Sequence, residues 1–232
     1  MALKMFADGA SLSEIARLAE DSRVAGFTTN PTLMKQAGIS DYIAFADEAC
    51  RIAHDRPISL EVIADDLTEM ERQARKLAQL SENVYVKIPV TTTSGESTAQ
   101  LSHALSHDGL KLNVTAVFTK TQVEEVVGAL DGGAPSVLSV FAGRIADAGI
   151  DPVPVMAKYS KISSAVSSIE LLWASPREVL NVVQAEQTGC HIITMTPDLW
   201  AKLGNIGRDL TDYSLDTVKM FYRDAVESGY AL

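Results

Sequence analysis

Asn83-Val84-Tyr85-Val86-Lys87-Ile88-Pro89-Val90 is a short run of apolar, β-type residues with one amine near its C-terminal end, and it reads as a buried strand. Burial strips an amine of hydration and favours its neutral form, which is a nucleophile toward carbonyl groups. Lys87 is therefore a candidate Schiff-base lysine. The plainer reading is a strand-end lysine whose stem packs while its ammonium reaches water. The run by itself does not choose between them.

Seven similar runs surround it, at residues 3–7, 26–29, 58–64, 111–118, 136–141, 169–174 and 191–195. Between them, 67–80 and 119–130 place apolar or small residues three and four apart, with Val123, Val126, Val127 and Leu130 in the second. Both predict helices that begin near a Thr or Asp suited to capping. Pro31, Pro176 and Pro197 each follow a strand candidate, where proline suits the first turn of a helix. Eight βα units in 232 residues predict a single-domain (β/α)8 TIM barrel, a fold of about 250 residues. A doubly wound open sheet is the runner-up. It needs a glycine-rich phosphate loop after an early strand, and neither G-x-G-x-x-G nor a Walker sequence occurs. No linker or low-complexity tract divides the chain, so 1–232 reads as one domain. An additional helix at about 211–228 lies beyond the eighth unit, where it can cover the barrel or dock on a neighbouring subunit.

Composition narrows the partners. Charged residues at 22% and a mean hydropathy of +0.08 describe a soluble globular protein. No apolar stretch approaches the roughly 20 residues that span a bilayer, and the start has too short an apolar run for a signal peptide. A cytoplasmic protein without a membrane partner is expected. The net charge of −10 comes with scattered basic residues, which argues against nucleic acid. A phosphorylated small substrate stays open, because one arginine can dominate a small pocket. Cys50 and Cys190 lie far apart with no CxxC or His-rich partner, so buried thiols are expected in place of a disulfide framework or a metal site.

In such a barrel the reactive groups collect at the C-terminal ends of the strands. Polar residues recur at those ends: Asp8, then Thr28-Thr29-Asn30, Glu61, Lys87, Asn113 and Thr115, and Ser139 followed by Arg144. Each has a plain explanation alone, Asp8 and Asn30 as helix caps, Glu61 as an edge charge, Thr115 as a β-former and Arg144 as a surface ion pair. Together, a lysine, two carboxylates, an amide and hydroxyls at one mouth make a coherent carbinolamine site.

Phe6-Ala7-Asp8, Gly26-Phe27-Thr28-Thr29-Asn30-Pro31-Thr32-Leu33, Val86-Lys87-Ile88-Pro89, Leu112-Asn113-Val114-Thr115-Ala116 and Ser139-Val140-Phe141-Ala142-Gly143-Arg144-Ile145 resemble, in order, signature segments of the transaldolase family. The resemblance covers essentially the whole chain and is to the short single-domain branch that also contains the fructose-6-phosphate aldolases. It implies that Lys87 is the Schiff-base nucleophile. Glu61, Thr115 and Asp8 would hold the water that shuttles protons during dehydration, and Asp8 would act as acid/base on the C4 hydroxyl. Thr29, Asn30, Asn113 and Ser139 would bind the substrate, and Arg144 its phosphate. No cofactor is implied, because a protonated imine is itself the electron sink. The family's homo-oligomers, pentamers or decamers, are expected by the same resemblance.

The resemblance also bears on transfer against cleavage. The expected reaction moves a dihydroxyacetone unit from sedoheptulose 7-phosphate or fructose 6-phosphate to glyceraldehyde 3-phosphate or erythrose 4-phosphate. The alternatives are an aldolase that releases free dihydroxyacetone and a barrel that binds sugar phosphates without turnover. The aldolase branch carries tyrosine where this chain has Phe141 and glutamine where it has Glu61, so transfer is favoured, and Asn113 leans the same way. One departure concerns the substrate. Where the family offers a Ser-Phe-Arg or Ser-Phe-Lys sequence on strand seven, this chain has Leu172, Trp173 and Ala174. Ser175 and Arg177 are expected to compensate from the next turn, at a helix N-terminus that favours an anion. Trp173 reads as core packing.

Overall fold

In the computed structural model, which describes residues 2–230, the eight runs form eight parallel strands. They are β1 Lys4–Asp8, β2 Val24–Thr28, β3 Ile58–Glu61, β4 Val84–Pro89, β5 Leu112–Val117, β6 Ser136–Val140, β7 Ile169–Trp173 and β8 Ile192–Met195. Each pairs with its neighbours in sequence and β8 returns to β1, closing a (β/α)8 barrel. The expected helices appear at Leu67–Ala78 and Lys120–Leu130. Asp66 accepts from the Glu69 N–H at the head of the first, and Thr119 and Gln122 cap the second reciprocally.

Pro31 and Pro197 open the helices Pro31–Gln36 and Pro197–Ala201. Pro176 does not open one, because the helix after β7 starts only at Leu180. Ser175 takes a left-handed φ of +59°, which turns the chain away from a helical path. Asn181 Oδ1 then accepts from the backbone N–H groups of Arg177 and Glu178, holding the segment as a loop.

Strand residues alternate between the helices outside and the barrel interior. On the helix side, Leu60, Val86, Ile88, Leu112, Val114, Leu138 and Leu171 are wholly buried, each contributing about 1.5–3 kcal/mol through lost apolar surface. The interior is filled by Phe6, Val137, Leu172 and Ile192, with Tyr85 packed against them, so the barrel has a core and not a pore. Gly26 makes room for this filling: a Cβ there would meet the Phe6 ring at 2.6 Å. Register sets Glu61 opposite Lys87, Lys87 opposite Asn113, and Asp8 opposite Thr28. Paired residues of parallel neighbours face the same side, so the polar strand ends converge.

The chain divides into two compact units, one through Trp200 and the other from Ala201 onward. The barrel is the first. The second carries the helix Leu210–Glu227, capped by Asp209, at the place expected for the additional helix. No residue of that helix is buried, and Leu215, Val218, Phe221, Tyr222 and Val226 are all exposed. Cys50 and Cys190 are buried free thiols, each pushed up to about 11 by burial. Among the described residues no helix is long and apolar enough to cross a membrane.

Candidate active site

A cavity of about 450 Å³ opens at the C-terminal mouth of the barrel. Asp8, Asn30, Glu61, Lys87, Asn113, Thr115, Ser139, Phe141, Arg144, Ser175 and Arg177 all line it. Thr29 does not: it is fully buried, its hydroxyl donating to the Ser59 carbonyl at 2.9 Å. Its contribution is its own carbonyl, which accepts from Lys87 Nζ at 2.8 Å.

Lys87 ends up neither packed in apolar surroundings nor reaching bulk water. Its Nζ lies 3.0 Å from Glu61 Oε2, and the two side chains are 8% and 14% exposed. A buried pair of this kind is sensitive to loss of either member, because the survivor is left uncompensated. Tyr42 donates to the Glu61 backbone carbonyl at 2.7 Å and fixes the end of β3. Burial first, and then the Glu61 charge, push the Tyr42 phenol up, so it stays a donor.

Across the mouth, Asp8 accepts from Thr28 Oγ1 at 2.8 Å, and Thr28 in turn shares a short hydrogen bond with Thr194. Burial pushes the Asp8 carboxyl above its ordinary range, outweighing the opposing pull of Lys87 and of the Thr28 hydroxyl. Thr115 Oγ1 is buried without a hydrogen-bonding partner among the described residues. Its neighbour Ala116 has a φ of +58°, and the β5–β6 register shifts between Val114 and Val117, a bulge at the cavity rim.

The Asn113 amide is held at both ends. It donates to Ser59 Oγ at 2.9 Å and accepts from Ser139 Oγ at 2.7 Å, so the Ser139 hydroxyl is committed to orienting the amide. Asn30 lines the cavity while its Oδ1 caps the helix Pro31–Gln36 by accepting from the Leu33 N–H at 3.0 Å. Thus one side chain both caps the helix and borders the cavity.

At the far end, the Phe141 ring packs 5.6 Å from Phe118, and the Arg144 guanidinium lies 5.1 Å from the centre of Phe141. Arg177 also lines the cavity, with its Nε 3.0 Å from both carboxylate oxygens of Asp147. The expected helix N-terminus behind Ser175 and Arg177 is absent, since both belong to the loop before Leu180. Trp173 is wholly buried, as its packing reading requires, although its indole N–H has no hydrogen-bonding partner among the described residues.

Ser59, Thr194 and Tyr42, which hold site residues in place, are not among the polar strand ends singled out in the sequence. Ser59 was open to discovery, because it stands two residues before Glu61 and therefore faces the same way. Thr194 carried no such signal, its role depending on the closure of β8 against β1.

Residues 5–231 match the family model described as Transaldolase/Fructose-6-phosphate aldolase. A probable transaldolase of Dehalococcoides mccartyi is 36% identical over 194 residues, covering 83% of this chain and 86% of that protein. A protein named probable transaldolase 2 of Listeria monocytogenes is 35% identical over 215 residues, covering 92% and 93%. Among solved structures, an HpcH/Hpal aldolase/citrate lyase family protein from Burkholderia cenocepacia superposes with a TM-score of 0.62 at 14% identity, over 94% of this chain and 95% of that one. That last likeness is one of fold alone.

Proposed function

The chain belongs to the transaldolase/fructose-6-phosphate aldolase family, and from that premise we propose a transaldolase that works through a Schiff base on Lys87. It moves a dihydroxyacetone unit from sedoheptulose 7-phosphate or fructose 6-phosphate to glyceraldehyde 3-phosphate or erythrose 4-phosphate. The observation that carries this reading is the buried Lys87 amine set 3.0 Å from Glu61 in a cavity that also holds Asp8.

Lys87 Nζ attacks the ketose C2 carbonyl, and Glu61 takes the proton that the amine gives up. The carbinolamine then loses water, whose oxygen is held between Glu61, Asp8 and the Thr115 hydroxyl. Asp8 removes the C4 hydroxyl proton, the C3–C4 bond breaks, and its electron pair passes into the iminium, which becomes an enamine. Burial raises the Asp8 carboxyl and so strengthens it as a base for a proton it must both take and return. Once the first aldehyde has left, the enamine carbon adds to the acceptor aldehyde, whose oxygen recovers the proton. Water then cleaves the imine and restores the amine. No metal or organic cofactor is needed, because the iminium accepts the electrons. The doubly anchored Asn113 amide binds hydroxyls of the retained unit, with Asn30, and Arg144 grips the phosphate.

Phe141 favours transfer over cleavage. A phenyl ring has no hydroxyl to deliver a proton to the enamine. The test is a coupled assay with fructose 6-phosphate, with and without erythrose 4-phosphate. Release of glyceraldehyde 3-phosphate that depends on the acceptor supports transfer. Free dihydroxyacetone at the same rate without acceptor makes the chain an aldolase. We place the reaction in the cytoplasm, on small sugar phosphates, in an enzyme that self-associates through the helix Leu210–Glu227.

A further inference from the structure

The anion end of the cavity carries two guanidinium groups in different states. Arg144 lies over the Phe141 ring and makes no ion pair among the described residues. Arg177 is engaged by Asp147, its Nε shared between both carboxylate oxygens and its terminal nitrogen on Oδ2. Asp147 thus presents to Arg177 the paired oxygens that a phosphate would present. It also stands three residues from Arg144 on the helix Ala142–Asp147, near both cations. The Arg177 hydrogen bonds, and then the charges of Arg177 and Arg144, hold the Asp147 carboxyl below its usual value.

The backbone fixes this pairing. Gly143 donates to the Ala174 carbonyl at 3.3 Å, and a Cβ on Gly143 would fall 1.6 Å from the Ser175 carbonyl oxygen. The loop after β7 is therefore pressed against the helix that carries Arg144 and Asp147. Loop and helix meet with Arg177 and Asp147 side by side, 30 residues apart in sequence. The side chains themselves are 46% and 52% exposed, so the pair is weakly held.

We infer that Asp147 is a specificity-determining residue that occupies Arg177 until the substrate's phosphate displaces it. A phosphate monoester, with a charge of about −1.5 to −2 and three strong acceptor oxygens, outcompetes a single exposed carboxylate, whereas an uncharged sugar leaves the pair closed. Arg177 then reaches the ligand only when the ligand is phosphorylated. This inference rests on reading the cavity as a sugar phosphate site. The competing account is that the ion pair only ties the loop to the helix.

The test measures the dissociation constant of inorganic phosphate by calorimetry in the wild-type chain, Asp147→Asn, Arg177→Gln and the double variant. Borohydride trapping of unphosphorylated dihydroxyacetone on Lys87 is run beside it. Removing the competing carboxylate is expected to tighten phosphate binding about three- to tenfold, and the double variant to lose that gain. Arg177→Gln alone is expected to weaken phosphate binding by a similar factor, which covers the case of an Asp147→Asn chain that does not fold. Unchanged or weaker binding in Asp147→Asn, or unchanged binding in Arg177→Gln, overturns the inference and leaves a structural tie. Failure of the trapping reaction instead strikes the Schiff-base reading, because that reaction needs no phosphate.

Discussion

Asp8 and Lys87 place contrary demands on one cavity. Burial raises the Asp8 carboxyl, so the folded chain holds the proton more tightly than the unfolded chain does. Stability then falls as pH rises from the ordinary carboxylate value, near 4, through the raised one. Asp8→Asn removes the buried charge. It is expected to raise the melting temperature at pH 7 and to lose that advantage below about pH 4, while kcat falls about 10²- to 10⁴-fold. Thermal melts at the two pH values check the sign. Glu61→Ala removes the carboxylate beside Lys87, leaving its buried Nζ only the Thr29 carbonyl, and should destabilise the fold by about 3–5 kcal/mol, read by urea unfolding. Phe141→Tyr restores a hydroxyl beside the enamine and should raise the share of free dihydroxyacetone among the products. Much of this constellation was legible in the sequence, because Asp8 and Glu61 end their strands and Lys87 and Asn113 stand out as polar residues within apolar runs. What could not be read was who holds whom. Asp147 meets Arg177 only because a loop is folded onto a helix, and no local spacing encodes that contact.

At the scale of elements, the eight strands were readable because their outward residues are almost all apolar, whereas the segment after β7 misled. Pro176 looks like the start of a helix, yet Ser175 adopts a left-handed φ and Asn181 ties down the next two N–H groups. Gly143 approaches the Ser175 carbonyl at this same turn, a tertiary contact that a proline rule cannot foresee. Gly143→Ala forces a methyl into a backbone oxygen. It should cost on the order of 3 kcal/mol in urea unfolding and raise the KM for phosphorylated substrates, since the loop it displaces carries Arg177.

At the scale of the whole molecule, one helix among the described residues buries none of its side chains. An 18-residue helix with no buried residue and an exposed row of Leu215, Val218, Phe221, Tyr222 and Val226 is not expected to stand alone in water. Self-association by this helix predicts a particle of five or ten times the 24.9 kDa chain by light scattering, and dissociation on Phe221→Glu with the barrel's circular dichroism retained. The sequence marked the helix but left open what it covers, because an amphipathic stripe does not name its partner. The chemistry at the barrel mouth is tested most directly by borohydride reduction with fructose 6-phosphate, followed by peptide mass spectrometry. A reduced dihydroxyacetone adduct on Lys87, absent in Lys87→Met, is the predicted result. An unmodified chain with both fructose 6-phosphate and sedoheptulose 7-phosphate, or an adduct on a different lysine, contradicts it.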